Sequence, residues 1–155
     1  IKPVFRVGLI SDTHGLLRPE ALAALAGAEV LLHAGDVGGN DVLAELSRIA
    51  PVLAVRGNSD GGWARLLPER RRLELGGVPL LLLHDRALVG LDPAAEGLAL
   101  VVFGHSHRPL AERKGRVLWF NPGSAGPRRF RLPVSVGRLT IEDGRVTPQL
   151  LTLDV

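Results

Sequence analysis

Asp12 with His14, Asp36, Asn58, His84, and His105 with His107 are metal-capable side chains. Each set stands directly after a short apolar run: VFRVGLIS, VLLHAG, VLAVRG, VPLLLL and LALVVFG. If those runs are strands of an α/β protein, ligands collect outside their carboxyl ends, so seven oxygen and nitrogen donors would gather at one sheet edge. Cys is absent, so a metal there must be held without thiolate. In extended backbone, residues two apart point the same way, so Asp12 and His14 are expected to grip one ion, with His105 and His107 repeating that geometry. Asp36, on a Gly-rich turn, could bridge two ions, and Asn58 adds a neutral carbonyl oxygen. Two divalent ions bring about +4 and the two carboxylates remove about 2, leaving a net positive site suited to an anion. Two such ions roughly 3.5 to 4 Å apart clamp a phosphoryl oxygen and lower the pKa of a bound water, which points to phosphoester hydrolysis.

The positioning elements follow from periodicity. Short apolar runs alternate with helical stretches in the first third, as in βαβ units. PEALAALAG reads as a helix opened by Pro19 and closed at Gly27. A second helix is expected from Asn40 or Asp41 as cap, with Val42, Leu43, Leu46 and Ile49 on one face and Pro51 beyond its end. After Trp63 the chain reads as strands, RRLELGG, VPLLLLH, LALVVFG, RVLWFNPG, VSVGRLTIEDG and RVTPQLLTLDV. Asp143-Gly144 marks a hairpin turn.

Composition excludes several classes. With 155 residues and 46% hydrophobic content, one domain over residues 1–155 is expected. No apolar run approaches the roughly 18 residues of a spanning helix, and the start lacks the order of a secretory signal, so a soluble, cytoplasmic protein without membrane partner is expected. The pI near 10.5 reflects residue choice: only Lys2 and Lys114 among 19 basic residues are lysines, and Tyr and Cys are missing. Net charge is only +3, so no specific nucleic-acid binding is expected. The clusters Arg70 to Arg72 and Arg128, Arg129, Arg131 read as solvated surface. His33, inside an apolar run, reads as a satisfied structural residue, and Ser59, Asp60 and Asp85 as turn or surface residues. Oligomeric state is not specified by these residues.

In this order, SDTHG, GDV, GNSD, GHSH and NPGS closely resemble the calcineurin-like metallophosphoesterase superfamily. Short length and the NPGSAGPRR segment make the chain most similar to its small phosphodiesterases of the YfcE type. The resemblance implies an α/β fold with a two-sheet mixed β-sandwich flanked by helices in four layers. It also implies two divalent metal ions, with manganese first and iron, zinc or nickel also suited to these ligands. By position, Asp12, His14 and His107 match the ligands of one metal, Asn58, His84 and His105 those of the other, and Asp36 the bridge. Asn58 also matches a phosphate-positioning residue, and the implied nucleophile is a metal-bridging hydroxide. Many relatives carry a proton-donating His where this chain has Ser59, and this chain continues the fourth motif with Asp85 and Arg86, of which Arg86 is expected to contact substrate phosphate. The expected function is a phosphodiesterase acting on a small phosphoester. The alternatives are a phosphomonoesterase or nucleotide phosphatase with the same site, and a non-catalytic protein-interaction scaffold of the same fold, as in the retromer subunit that resembles the family.

Overall fold

A computed structural model describes residues 4–155. The elements run β1 (Phe5–Ile10), α1 (Pro19–Leu25), β2 (Val30–His33), α2 (Asn40–Leu46) and β3 (Val52–Ala54), then β4 (Arg70–Leu75), β5 (Val78–Leu83), β6 (Leu100–Val102), β7 (Leu110–Lys114), β8 (Val117–Asn121), β9 (Ser135–Glu142) and β10 (Arg145–Thr152). They build two five-stranded mixed sheets, β10-β9-β1-β2-β3 and β4-β5-β6-β8-β7. β1, β2, β3 and β5, β6, β8 are parallel trios; the antiparallel pair β9 and β10 extends the first on the β1 side, leaving β3 at the edge, and antiparallel β4 and β7 flank the second on both sides. Among the described residues no helix is long and apolar enough to cross a membrane.

Burial on both faces explains why the central runs are continuously apolar rather than alternating. Along β1 and β2, Val7, Leu9, Val30 and Leu32 meet Leu80, Leu82, Leu100, Val102 and Phe120 of the second sheet. The opposite-facing Ile10 and Leu31 pack instead beneath Ala21 and Leu25 of α1 and Val42 and Leu46 of α2. The period of two is therefore intact inside an all-apolar string. On the outer face of the second sheet, Leu81, Leu83, Val101 and Phe103 are covered by Val89, Leu91 and Leu98, which belong to a 3-10 turn (Arg86–Leu88) and the loop after it. The two α-helices thus flank the first sheet, and irregular chain covers the second.

Asp143 and Gly144 join β9 to β10 with φ of 54° and 74°, both positive as a two-residue type I′ turn demands. One local expectation is corrected. α2 takes Gly39 as its N-cap, without a side-chain cap bond, and Asn40 is already helical. β7 joins the strands expected after Trp63; LAERK is an edge strand with four exposed residues, so it carries charges where a central strand would carry apolar groups.

α1 is only seven residues long, and its C-terminal carbonyls are held from outside: Arg138 Nη1 on β9 donates to Ala24 O at 2.7 Å and Ala26 O at 3.0 Å. A guanidinium at this end satisfies orphan carbonyls and opposes the helix dipole. Arg138→Met keeps the apolar stem and removes the charge, and is expected to cost about 1–2 kcal/mol in urea unfolding. An unchanged midpoint would show that the helix end is held by packing alone.

Candidate metal centre

The polypeptide pairs past the ends of its strands. Asp12 N donates to Gly35 O, His14 N to Asp36 O and Gly15 N to Val37 O, which continues the β1–β2 ladder into both loops. On the second sheet, Gly104 N donates to His84 O. The sheets join at this edge: His105 N donates to Asp12 Oδ2 at 3.1 Å, and Ser124 Oγ, beyond β8, donates to Asp12 O at 3.1 Å. Approach is close enough that a Cβ on Gly57 would overlap Asp36, and one on Gly104 would overlap Ser11 and Asp12. These positions have room only for glycine.

Among the described residues, two groups have donor atoms that all lie within 4.8 Å of one another: Asp12, His14 and His107, and Asp36, His84 and His105. Each carboxylate is divided between protein and cluster. Asp12 Oδ2 accepts from Ser11 Oγ at 2.7 Å and from His105 N, while Oδ1 is buried without a hydrogen bond. Around that free oxygen stand His107 Nε2 at 3.4 Å, His14 Nε2 at 3.9 Å and His84 Nε2 at 3.9 Å. Asp36 Oδ1 accepts from Ser59 N at 2.9 Å, and Oδ2 faces His84 Nε2 at 3.2 Å and His14 Nε2 at 3.7 Å. Donors about 2.1 Å from one ion sit about 3.0 to 3.4 Å apart, close to several of these spacings. His14 Nε2 is likewise buried without a partner, so the donor set fits a cation. Asp36 Oδ2 thus stands near imidazoles of both groups.

The surroundings fix each ligand's protonation and aim. His84 Nδ1 donates to Ala34 O at 2.8 Å, which leaves Nε2 turned to the carboxylates. Burial pulls the His84 imidazolium down, but the Asp36 and Asp12 carboxylates outweigh it and the net shift is upward. Burial pushes the Asp12 carboxyl up, and His107, Ser11 and His84 more than reverse this. For Asp36 burial is likewise overcome, by His84 and Ser59, and its carboxyl falls well below the ordinary range. Both carboxylates are therefore held ionised.

The expected extended geometry of the paired ligands is corrected. Asp12, His14, His105 and His107 are not extended: their φ values are 55°, 47°, 72° and 62°, and that of Asp36 is 54°. Left-handed backbone brings Asp12 and His14 to one group, but sends His105 and His107 to different groups. Asn58 is exposed and lines a cavity beside His84, shared with Arg56 and Arg70. Arg86 does not line that cavity; its guanidinium lies 5.2 Å from the Phe103 ring centre and 5.3 Å from that of Trp119, a cation–π seat on the sheet's outer face. Arg70 to Arg72 are also not simply solvated, since Arg70 donates to Leu88 O and Val89 O, Arg71 to Ala54 O and Arg72 to Glu96.

Three further polar residues support the ligand loops. Asp60 accepts from Val37 N, Gly38 N and Gly57 N, tying the Asp36 loop to the Asn58 loop. Asn121, fully buried, donates to Gly104 O and Ser106 Oγ and accepts from Gly123 N. In the sequence it opens the NPGS motif, which names the residue without saying what it holds. His33 links the first two loops: Gly35 N donates to its Nδ1 at 3.1 Å, so Nε2 carries the proton toward Thr13 Oγ1 at 3.0 Å, and Thr13 Oγ1 donates to Val37 O at 2.7 Å.

Comparisons with known proteins agree with this geometry. A model described as the calcineurin-like phosphoesterase superfamily domain matches residues 5–144. A probable metallophosphoesterase of Methanothermobacter thermautotrophicus is 31% identical, covering 94% of this chain and 91% of its own. Phosphodiesterase YfcE of Escherichia coli is 33% identical, covering 83% and 84%. In fold alone, vacuolar protein sorting 29 from Cryptosporidium parvum matches with a TM-score of 0.78 at 19% identity, covering 96% and 97%.

Burial lowers the His33 pKa from 6.5 to about 4, against the partly compensating Asp12 charge. Between those values the unfolded chain binds a proton that the folded one does not, so stability rises with pH across the window and falls as pH drops through it. The shift corresponds to roughly 3 kcal/mol. The stability difference between wild type and His33→Gln, from urea unfolding at pH 7 and pH 4, is expected to shrink by about that amount at the lower pH. A difference independent of pH would mean that His33 takes up its proton as readily in the folded protein as in the unfolded chain.

Proposed function

Because this chain belongs to the calcineurin-like phosphoesterase superfamily, we propose that it is a divalent-metal-dependent phosphodiesterase acting on small phosphoesters. The observation that carries the reading is Asp12 Oδ1, a fully buried carboxylate oxygen with no hydrogen bond and three imidazole nitrogens within 3.9 Å. Left without a cation, that arrangement leaves a charged acceptor unsatisfied in the protein interior.

Asp12, His14 and His107 would hold one ion, and His84, His105 and Asn58 the other, with Asp36 between them. Two divalent ions there would polarise a phosphoryl oxygen and lower the pKa of a bound water, with manganese the first candidate. The chain's own residues do the rest. Ser59 N and Ser11 Oγ each occupy one carboxylate oxygen, so the other can point only at the cluster. Asn58 is neutral, which leaves the site net positive toward a phosphoester anion, and it lines the cavity with Arg56 and Arg70. Position 59 offers a serine hydroxyl in place of an imidazole acid, so esters with stable leaving groups suit this chain best.

The sorting protein's likeness supports a scaffold only at the level of fold, and a fold does not select a function. Hydrolysis of bis-p-nitrophenyl phosphate by chelator-stripped protein is expected to appear on adding manganese and to exceed that of p-nitrophenyl phosphate. Faster cleavage of the monoester would favour a phosphomonoesterase, and silence from folded, metal-loaded protein would favour the scaffold. In the same assay Asp36→Asn is expected to lower kcat by more than about 100-fold with the melting curve of the stripped protein retained. Near-normal turnover would remove Asp36 from the bridge.

A further inference from the structure

The ligand cluster is flanked on two sides. Asn58 and His84 open onto one cavity, and His14 and His107 open onto another whose remaining wall is Pro127, Arg128, Arg129 and Phe130. A phosphoryl group held between the two triads therefore has a concave surface to either hand. A phosphodiester carries two ester groups and can use both sides, whereas a monoester carries one.

Nothing in folding accounts for the residue at position 130. Phe130 is 89% exposed and belongs to no hydrophobic cluster of buried residues. Its φ of 53° is in the left-handed region, which disfavours a bulky side chain. The segment carrying it is nevertheless anchored. Gly126 N donates to Ser124 Oγ, which itself donates to Asp12 O, and Arg18 Nη2 donates to Gly126 O. Arg128 Nη2 donates to Val155 O, and Leu132 N closes a turn on Arg129 O. The rim is thus tied through two hydrogen bonds to a metal-ligating residue. Arg129 beside Phe130 is exposed and its side chain makes no hydrogen bond or ion pair among the described residues. An exposed aromatic ring next to an unpaired guanidinium matches an anion that bears a flat group.

We propose that Pro127–Phe130 forms a subsite for one ester group of a phosphodiester, in which Phe130 stacks on an aryl or nucleobase ring and Arg129 attracts the phosphate charge. The assignment rests on the phosphoesterase reading above and deepens it, by naming an aromatic diester as substrate class and Phe130 as a specificity-determining residue.

The test is calorimetric binding to manganese-loaded protein of phosphonate monoesters, whose single P–O–C bond ends in a poor alkoxide leaving group: methyl phenylphosphonate, methyl methylphosphonate, and the thymidine 5′-ester of methylphosphonic acid. Wild type is expected to bind the phenyl probe about three- to tenfold more tightly than the methyl probe, the range measured for paired aromatic rings. Phe130→Ala should bring that ratio within twofold without altering the methyl probe's Kd or the melting curve, and Phe130→Trp should keep it. Arg129→Ala should weaken all probes alike and reduce their salt dependence. Preference for the thymidine probe over the phenyl probe would identify the ring as a nucleobase, and the reverse an aryl group. A phenyl preference that survives in Phe130→Ala, beside normal bis-p-nitrophenyl phosphate hydrolysis, overturns the subsite alone. If no probe binds and no ester is cleaved, the phosphoesterase reading falls with it.

Discussion

Everything at this sheet edge depends on backbone pairing that outlasts the strands. The hydrogen bonds from Asp12 N, His14 N and Gly15 N to the carbonyls of Gly35, Asp36 and Val37 hold two carboxylate-bearing loops side by side after β1 and β2 have ended. Loops joined in this way have their backbone polar groups satisfied, so they can be buried. Burial in turn gives the two carboxylates their leverage over the four imidazoles, because charges interact more strongly where water is excluded. The cost is conformational. Asp12, His14, Asp36, His105 and His107 all hold positive φ, a region that disfavours ordinary L-residues by about 1–2 kcal/mol each. Such strain persists only where surrounding contacts over-determine it. Here Asp60, with three backbone N–H groups, and the His33–Thr13–Val37 chain supply that determination.

Much of the site is legible in the sequence because parallel strands place their carboxyl ends together. Once five apolar runs are recognised as strands, the donors after them are bound to converge, and six of the seven expected residues form the two triads. Which donors converge with which is a different matter. Spacing puts His105 and His107 on one ion if the backbone is extended, and the left-handed turn at each separates them. The placement of Arg86 is open to spacing in the same way: a cation two residues from a ligand has the right charge, and Phe103 and Trp119 on the outer face offer its guanidinium an aromatic seat. Asp60 and Asn121 each tie separate loops together, and a single polar residue gives no periodic signal of what it will accept from or donate to.

The fold follows the same division. Central strands are readable because both faces are buried and the string is apolar throughout, while β7 pairs with β8 on one side only and shows four exposed residues of five. The N-cap of α2 falls to Gly39 because the chain arrives from the Asp36 loop, where Asp60 already holds Val37 N and Gly38 N. Local preference for Asn or Asp at a cap is small beside that constraint.

The two triads are alike in donor type and in exposure, each joining two buried ligands to one more accessible imidazole: Asp12 and His107 with His14, and Asp36 and His84 with His105. They differ in what surrounds them. The Asp12 group stands between the ends of both sheets and is fixed by Ser11, Ser124 and the His105 amide. In the Asp36 group the carboxylate is held by Ser59 N and the His84 ring by Ala34 O, and Asn58 beside it lines a cavity with Arg56. The exposed rim beyond His14 and His107 follows from the first arrangement, because Ser124, which fixes the Asp12 backbone, also accepts from Gly126 N where the basic and aromatic segment begins.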